Sequence, residues 1–264
     1  MNKYFIVAIL FALTMIYGCN SHDPQTNDYQ KICVTFVADC TDSELFSSSI
    51  DPDFRTNLNS FFQTTKLCPL DYGKMLTVKM LPLEASGTFS SKKASIGPAY
   101  KWMSTREAVA CRDTSPLRQL IATELNSYKT LSESNMKNSS ILETLLKTFI
   151  DMDPEAEKNI IVVLTDGIEH SEYLNMYRSR VPTKDDDIKN LAKKLDQFLV
   201  QDATNRIEQT DPVVVMVIKK NEKVSTSDLK QFYSQFFSGV LGIPTDHVLF
   251  VDNLGNNILI PEEP

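Results

Sequence analysis

The segment Asn159-Ile-Ile-Val-Val-Leu-Thr165 restricts what this chain can fold into more than any other. It is a short apolar run, rich in β-branched residues and without polar alternation, which is the pattern of a strand buried on both faces. Lys31 to Ala38, Met75 to Leu81 and Pro212 to Ile218 repeat the pattern, and Val248 to Val251 closes the set. Helical spacing fills the intervals. Asp51-Pro52 offers an N-cap and an N1 proline ahead of Phe54, Leu58, Phe61 and Phe62. Thr114-Ser-Pro116 opens a helix with Leu117, Leu120, Ile121 and Leu125 on one face. Ser140-Ile-Leu-Glu143 is a capping-box pattern before Leu145, Leu146, Phe149 and Ile150. Ile188, Leu191, Leu195, Phe198 and Leu199 are predicted to share one face of a single helix. A last helix carries Leu229, Phe232, Tyr233, Phe236, Phe237 and Val240. Strands alternating with helices in this way predict an α/β fold, with a doubly wound, mostly parallel central sheet covered by helices on both faces.

Residues 30–264 form the expected α/β domain, and 84–113 is its least regular stretch, an insertion or irregular segment with room for one unplaced edge strand. Lys and Arg number 27 against 34 Asp and Glu, a net charge of −7 with no basic run, so a nucleic-acid partner is not expected. No G-x-S-x-G or glycine-rich phosphate loop occurs.

The amino terminus carries an address. Lys3 precedes fourteen uncharged, largely apolar residues, Tyr4 to Tyr17. As a helix these would rise roughly 21 Å, short of the ~20 residues that cross a bilayer, and they read as the core of an export signal. Ile16-Tyr-Gly-Cys19 resembles a bacterial lipobox, although Tyr17 is bulkier than usual there. The resemblance implies a signal peptide over 1–18, a lipid on Cys19, a polar tether over 19–29, and anchoring in the bacterial cell envelope on either its periplasmic or its surface side. An ordinary signal peptide with an incidental Cys19 is the alternative.

Ligands of open α/β sheets bind beyond the carboxyl ends of the strands. The first strand ends in Asp39-Cys-Thr41-Asp-Ser43, a D-x-T-x-S pattern, and the strongest strand ends in Thr165-Asp166-Gly167. The two together, in this order on buried strands, resemble a von Willebrand factor A domain over about 30–260. The resemblance implies a metal-ion-dependent adhesion site built from these two loops and a hydroxyl from a third. Ser139, in Ser139-Ser-Ile-Leu-Glu-Thr144-Leu145, lies 27 residues before Asp166 and is preferred; Thr114, an extra helix further away, is the alternative. The implied metal ligands are Asp39, Thr41, Ser43, Ser139 and Asp166. Mg²⁺ or Mn²⁺ would suit this all-oxygen set, since Mg²⁺ takes six oxygens and keeps some as water. Few direct carboxylates would leave the ion electron-poor and receptive to an Asp or Glu from a partner. The implied activity is non-enzymatic: a protein-binding module in adhesion or envelope assembly, touching an unknown protein partner through the metal face and the membrane through its lipid.

Two other readings compete. The same fold could serve as a scaffold without metal, its aspartates bonded to loop amides and its serine a plain cap. A haloacid-dehalogenase-like phosphohydrolase also places an Asp at the end of a first buried strand. That chemistry needs a second acid two residues later, where Thr41 stands, and an acidic pair beside Asp166 that is missing.

Four cysteines remain after Cys19. Cys33 begins the first strand, Cys68 follows the first helix, Cys40 lies in the first acidic loop and Cys111 precedes Thr114. With Cα atoms needing to approach within about 7 Å, the proposed topology is compatible with Cys33–Cys68 and Cys40–Cys111. Crossed pairings would span about 20 Å of strand. Four free thiols are the equal alternative.

Overall fold

The computed structural model describes residues 30–41, 60–62, 74–83, 91–97, 115–133 and 138–254. The first strand, β1 (Gln30–Asp39), is buried from Ile32 onward, as its unbroken apolar run requires. It lies at the centre of a six-stranded sheet with β2 (Lys74–Leu83), β3 (Lys92–Ile96), β4 (Lys158–Thr165), β5 (Val213–Ile218) and β6 (Val248–Val251), in the order β3-β2-β1-β4-β5-β6. All neighbours are parallel except β3, which runs antiparallel to β2 at the edge. The fold is therefore the expected doubly wound α/β arrangement of the von Willebrand factor A and Rossmann kind. The chain leaves β1 towards β2 and leaves β4 towards β5, so the direction of winding reverses between β1 and β4. That reversal opens a crevice at their carboxyl ends.

The edge strand without a place in the sequence is β3, inside 84–113. Thr77 and Ser95 face each other across it with hydroxyls 2.9 Å apart. The antiparallel turn-back escaped sequence reading because Lys92-Lys93-Ala-Ser-Ile96 has only one buried residue.

Helices α1 (Ser115–Glu133), α2 (Ile141–Ile150), α3 (Asp185–Ala192), α4 (Gln197–Thr210) and α5 (Thr226–Gln235) cover the sheet, and a π-helical turn, Phe236–Val240, extends α5. Strand periodicity divides the apolar residues into two cores. Val34, Phe36 and Ala38 of β1 and Ile160, Val162 and Leu164 of β4 meet α1 through Leu117, Ile121 and Leu125. Val37 of β1 and Ile161 and Val163 of β4 meet α2 through Ile141, Leu142, Leu145 and Phe149, together with Phe232, Phe236 and Phe237.

The single helix expected from Ile188 to Leu199 is two. Asp196 ends the run: its Oδ1 accepts the N–H groups of Phe198 at 2.9 Å and Leu199 at 3.4 Å, starting α4 afresh. Gln197 Nε2 in turn donates to the carbonyls of Ala192 and Leu195 at 2.9 and 2.8 Å, satisfying the end of α3. The break rotates Phe198 off the buried face, leaving it 84% exposed while Leu195 stays buried. A short Asp side chain competing for backbone donors overrides the apolar periodicity.

Candidate functional site

Register decides what meets at the carboxyl end of the sheet. Ala38 pairs with Leu164 on the α1 side. The next residue of each strand, Asp39 and Thr165, therefore points to the other face, the one α2 covers. Ser139 precedes the first turn of α2, so its hydroxyl arrives at the same place. Asp39 Oδ2 accepts hydrogen bonds from Thr165 Oγ1 at 2.7 Å and Ser139 Oγ at 3.3 Å. Asp39 Oδ1 accepts from Thr41 Oγ1 at 2.6 Å and from the Thr41 N–H at 3.0 Å.

Asp39 is 1% exposed, and these donors are all neutral. Burial raises its pKa, against the pull of the hydrogen bonds from Thr41, Thr165 and Ser139. A buried carboxylate ringed by hydroxyls, with no cationic side chain among those donors, is the electrostatic setting that a bound cation would relieve.

Asp166 lies in the adjacent loop. Its Oδ1 accepts the Ile168 N–H at 2.9 Å and its Oδ2 accepts from Asn221 Nδ2, beyond β5, at 3.3 Å. Gly167 takes φ +78°, and a Cβ there would lie 3.3 Å from Leu229 Cδ1. Its carbonyl accepts from the buried Tyr233 hydroxyl at 3.0 Å, which fastens the loop to α5.

Ser139 is held in place from its backbone. It exchanges two 2.9 Å hydrogen bonds with His170, one in each direction. The capping box expected at Ser140 does not form: Ser140 holds the N-cap position without a side-chain bond, and Glu143 pairs with Lys147 at 2.7 Å instead. The cap comes from elsewhere. Glu169 Oε2 accepts the Leu142 N–H at 2.9 Å. Glu169 is 1% exposed, and burial raises its pKa to about 7, opposed by bonds from Ser171, Leu142 and Ile141 and reinforced by the charge of Asp39.

The fold thus brings together Asp39, Thr41 and Ser139, with Asp166 on the loop after the adjacent strand. Ser43, and Thr114 as the alternative third-loop residue, lie outside the described residues, as do Cys19, Cys68 and Cys111. Cys33 and Cys40 are buried, and burial pushes the Cys33 thiol up. Among the described residues no helix is long and apolar enough to cross a membrane.

Sequence reading passed over Thr165, Glu169 and Asn221 as site residues. Thr165 was visible within T-D-G, but its bond to Asp39 depends on facing. Glu169 and Asn221 carry no spacing signal, because each acts through a partner distant in sequence.

Among the described residues no group of three His, Cys, Asp or Glu side chains is placed to hold a metal ion. The donor set is instead two carboxylates plus hydroxyls, oxygen throughout, which fits a hard divalent cation such as Mg²⁺ or Mn²⁺ and not a thiolate- or imidazole-bound metal.

Fold and site together define a doubly wound α/β protein with an acidic, hydroxyl-lined centre at its switch point. No family model matches the chain, and no curated protein matches it by sequence. Among solved structures it is similar to the human COPII-coat protein Sec24c, at 9% identity over 78% of this chain and 29% of that one, with a TM-score of 0.38. It is also similar to the pilus adhesin SpaC from Lactobacillus rhamnosus GG, at 9% identity over 87% of this chain and 29% of that one, with a TM-score of 0.41. The open conformation of SpaC gives 9% identity, 86% and 28% coverage and the same TM-score, 0.41. The chain spans less than a third of the length of each.

Proposed function

We propose that this chain is a non-enzymatic protein-binding module that grips a partner carboxylate through a divalent cation. Asp39, Thr41, Ser43, Ser139 and Asp166 would hold the ion, and Cys19 would carry the lipid that tethers the module in a bacterial envelope. The reading is carried by one observation: hydroxyls from β1's loop, the end of β4 and the start of α2 converge on the buried carboxylate of Asp39, with no cationic side chain among its donors.

Each part of this chain has a separate task. Thr165 and Glu169 hold the loops, so that Asp39 and Ser139 stay together without help from the ion. Thr41 and Ser139 present hydroxyl oxygens whose remaining lone pairs can face a cation. Asn221 steadies Asp166. When bound, the cation supplies an electropositive point able to accept an incoming carboxylate oxygen.

Millimolar Mg²⁺ or Mn²⁺ should raise the melting temperature of the purified protein, because a ligand of the native state alone stabilises it by mass action. Asp39→Ala should abolish that rise and leave the far-ultraviolet circular dichroism unchanged. An Asp39→Ala protein that responds to metal as the parent does would remove the assignment, and no response in the parent would leave a metal-free scaffold. Mass spectrometry of the native amino terminus checks the anchor: a lipid-modified Cys19 is expected, and an unlipidated chain starting elsewhere would refute it.

A further inference from the structure

A continuous path of contacts runs along one side of the candidate site. Ser139 pairs with His170, whose ring meets Tyr177 edge-on at 5.6 Å. Lys223 Nζ lies 5.2 Å from the centre of the Tyr177 ring. The Lys223 N–H donates to Asn221 Oδ1 at 2.7 Å, and Asn221 bonds Asp166. The path thus leaves the site at Ser139 and returns at Asp166. It joins the loop after β4 to the loop after β5, and Tyr177 and Lys223 are both exposed on it.

These two loops have the wrong charge for this protein. Residues 166–184 and 219–225 contain six Lys or Arg against four Asp or Glu, two of which, Asp166 and Glu169, are buried, in a chain of net charge −7. Arg178, Arg180, Lys220 and Lys223 are exposed, and none of them makes a salt bridge among the described residues. Lys31, Lys79, Lys147 and Lys230, elsewhere, each have a carboxylate partner. A cation resting on an aromatic face, as Lys223 rests on Tyr177, is held in position before any ligand arrives.

We propose that the rim of His170, Tyr177 and Lys223 docks an acidic segment of a protein partner, binding a second carboxylate beside the one gripped at the site. This deepens the proposed function and rests on it. The occupant follows from charge complementarity: unpaired cationic side chains beside a site that would take a partner carboxylate suit a run of Asp or Glu.

The test uses the purified full chain and a fluorescein-labelled hexaglutamate peptide, with hexalysine as control, followed by anisotropy in Mg²⁺ and again in chelator. The chain should bind hexaglutamate and not hexalysine. Lys223→Glu should weaken that binding at least about tenfold, and Tyr177→Ala should weaken it less, while both keep the parental rise in melting temperature with Mg²⁺. Parental peptide affinity in Lys223→Glu, or no hexaglutamate binding by the parent in Mg²⁺, overturns the rim and leaves the metal reading standing. Lys223-dependent peptide binding without any thermal response to metal keeps the rim and removes the metal reading. Lys223-dependent capture by phosphatidylglycerol vesicles, with no peptide bound, also overturns the proposal.

Discussion

Thr165 Oγ1 donates a 2.7 Å hydrogen bond to Asp39 Oδ2 and accepts the Gly167 N–H at 2.9 Å. One hydroxyl thereby ties the end of β1 to the end of β4 and shapes the turn that follows. Hydrogen bonds to charged groups contribute more than neutral ones, and a buried group left unpaired costs more still.

Thr165→Val, nearly the same shape without the hydroxyl, should therefore cost about 1–3 kcal/mol. Thr165→Ser should restore most of it. Urea denaturation of the metal-free proteins measures both, and an unperturbed Thr165→Val midpoint would contradict the role given to this bond.

Glu169 makes stability depend on pH. Its pKa rises from 4.5 to about 7 because it is buried, so the folded protein holds this proton more tightly than the unfolded chain does. The resulting stabilisation is full below about pH 4.5 and is lost as pH rises through about 7. Asp39, raised by burial as well, adds a slope of the same sign. Metal-free Glu169→Gln should accordingly lose stability less steeply between pH 5 and 8 than the parent. Parallel slopes in urea titrations across that range would refute the assignment.

Gly167→Ala should destabilise by about 1–2 kcal/mol through the left-handed backbone alone, with crowding against Leu229 added. Tyr233→Phe, which removes only the bond to the Gly167 carbonyl, should cost about 0.5–1.5 kcal/mol. Thermal melts rank the two; Gly167→Ala is expected to be the more damaging.

The break between α3 and α4 separates two substitutions that periodicity alone would treat alike. Asp196→Ala removes the cap of α4 and should cost about 0.5–2 kcal/mol. Phe198→Ser, two residues on, should stay within about 0.5 kcal/mol of the parent, because this ring is exposed. Chemical denaturation checks both, and a large loss for Phe198→Ser would mean that the ring is covered.

The elements of this protein are largely written locally. Runs such as Asn159 to Thr165 have one low-energy use, a doubly buried strand, because no other element hides so many β-branched residues in so short a span. The helices covering 115–133, 141–150 and 226–235 follow from their apolar stripes in the same way. Element ends located the acidic loops at Asp39 and Asp166, whereas Thr41 and Ser139 were legible as candidates only through the resemblance carried by D-x-T-x-S and T-D-G. The exceptions share a cause. Lys92 to Ile96 and the junction at Asp196 depend on hydrogen bonds, and a polar side chain's choice of partner leaves no periodicity to read.

The meeting of these residues belongs to the tertiary structure. Asp39 lies 100 residues from Ser139 and 126 from Thr165, and only the register of β1 on β4 turns both strand ends to the face that α2 covers. A shift of one residue would point Asp39 into the opposite core. Glu169 and Asn221 joined the site, and Lys223 its rim, for the same reason. The amino-acid sequence by itself determined which segments had to be buried and where each would end. Which ends came together was decided only by strand order and facing, since burial is a property of each residue and a hydrogen bond belongs to a pair.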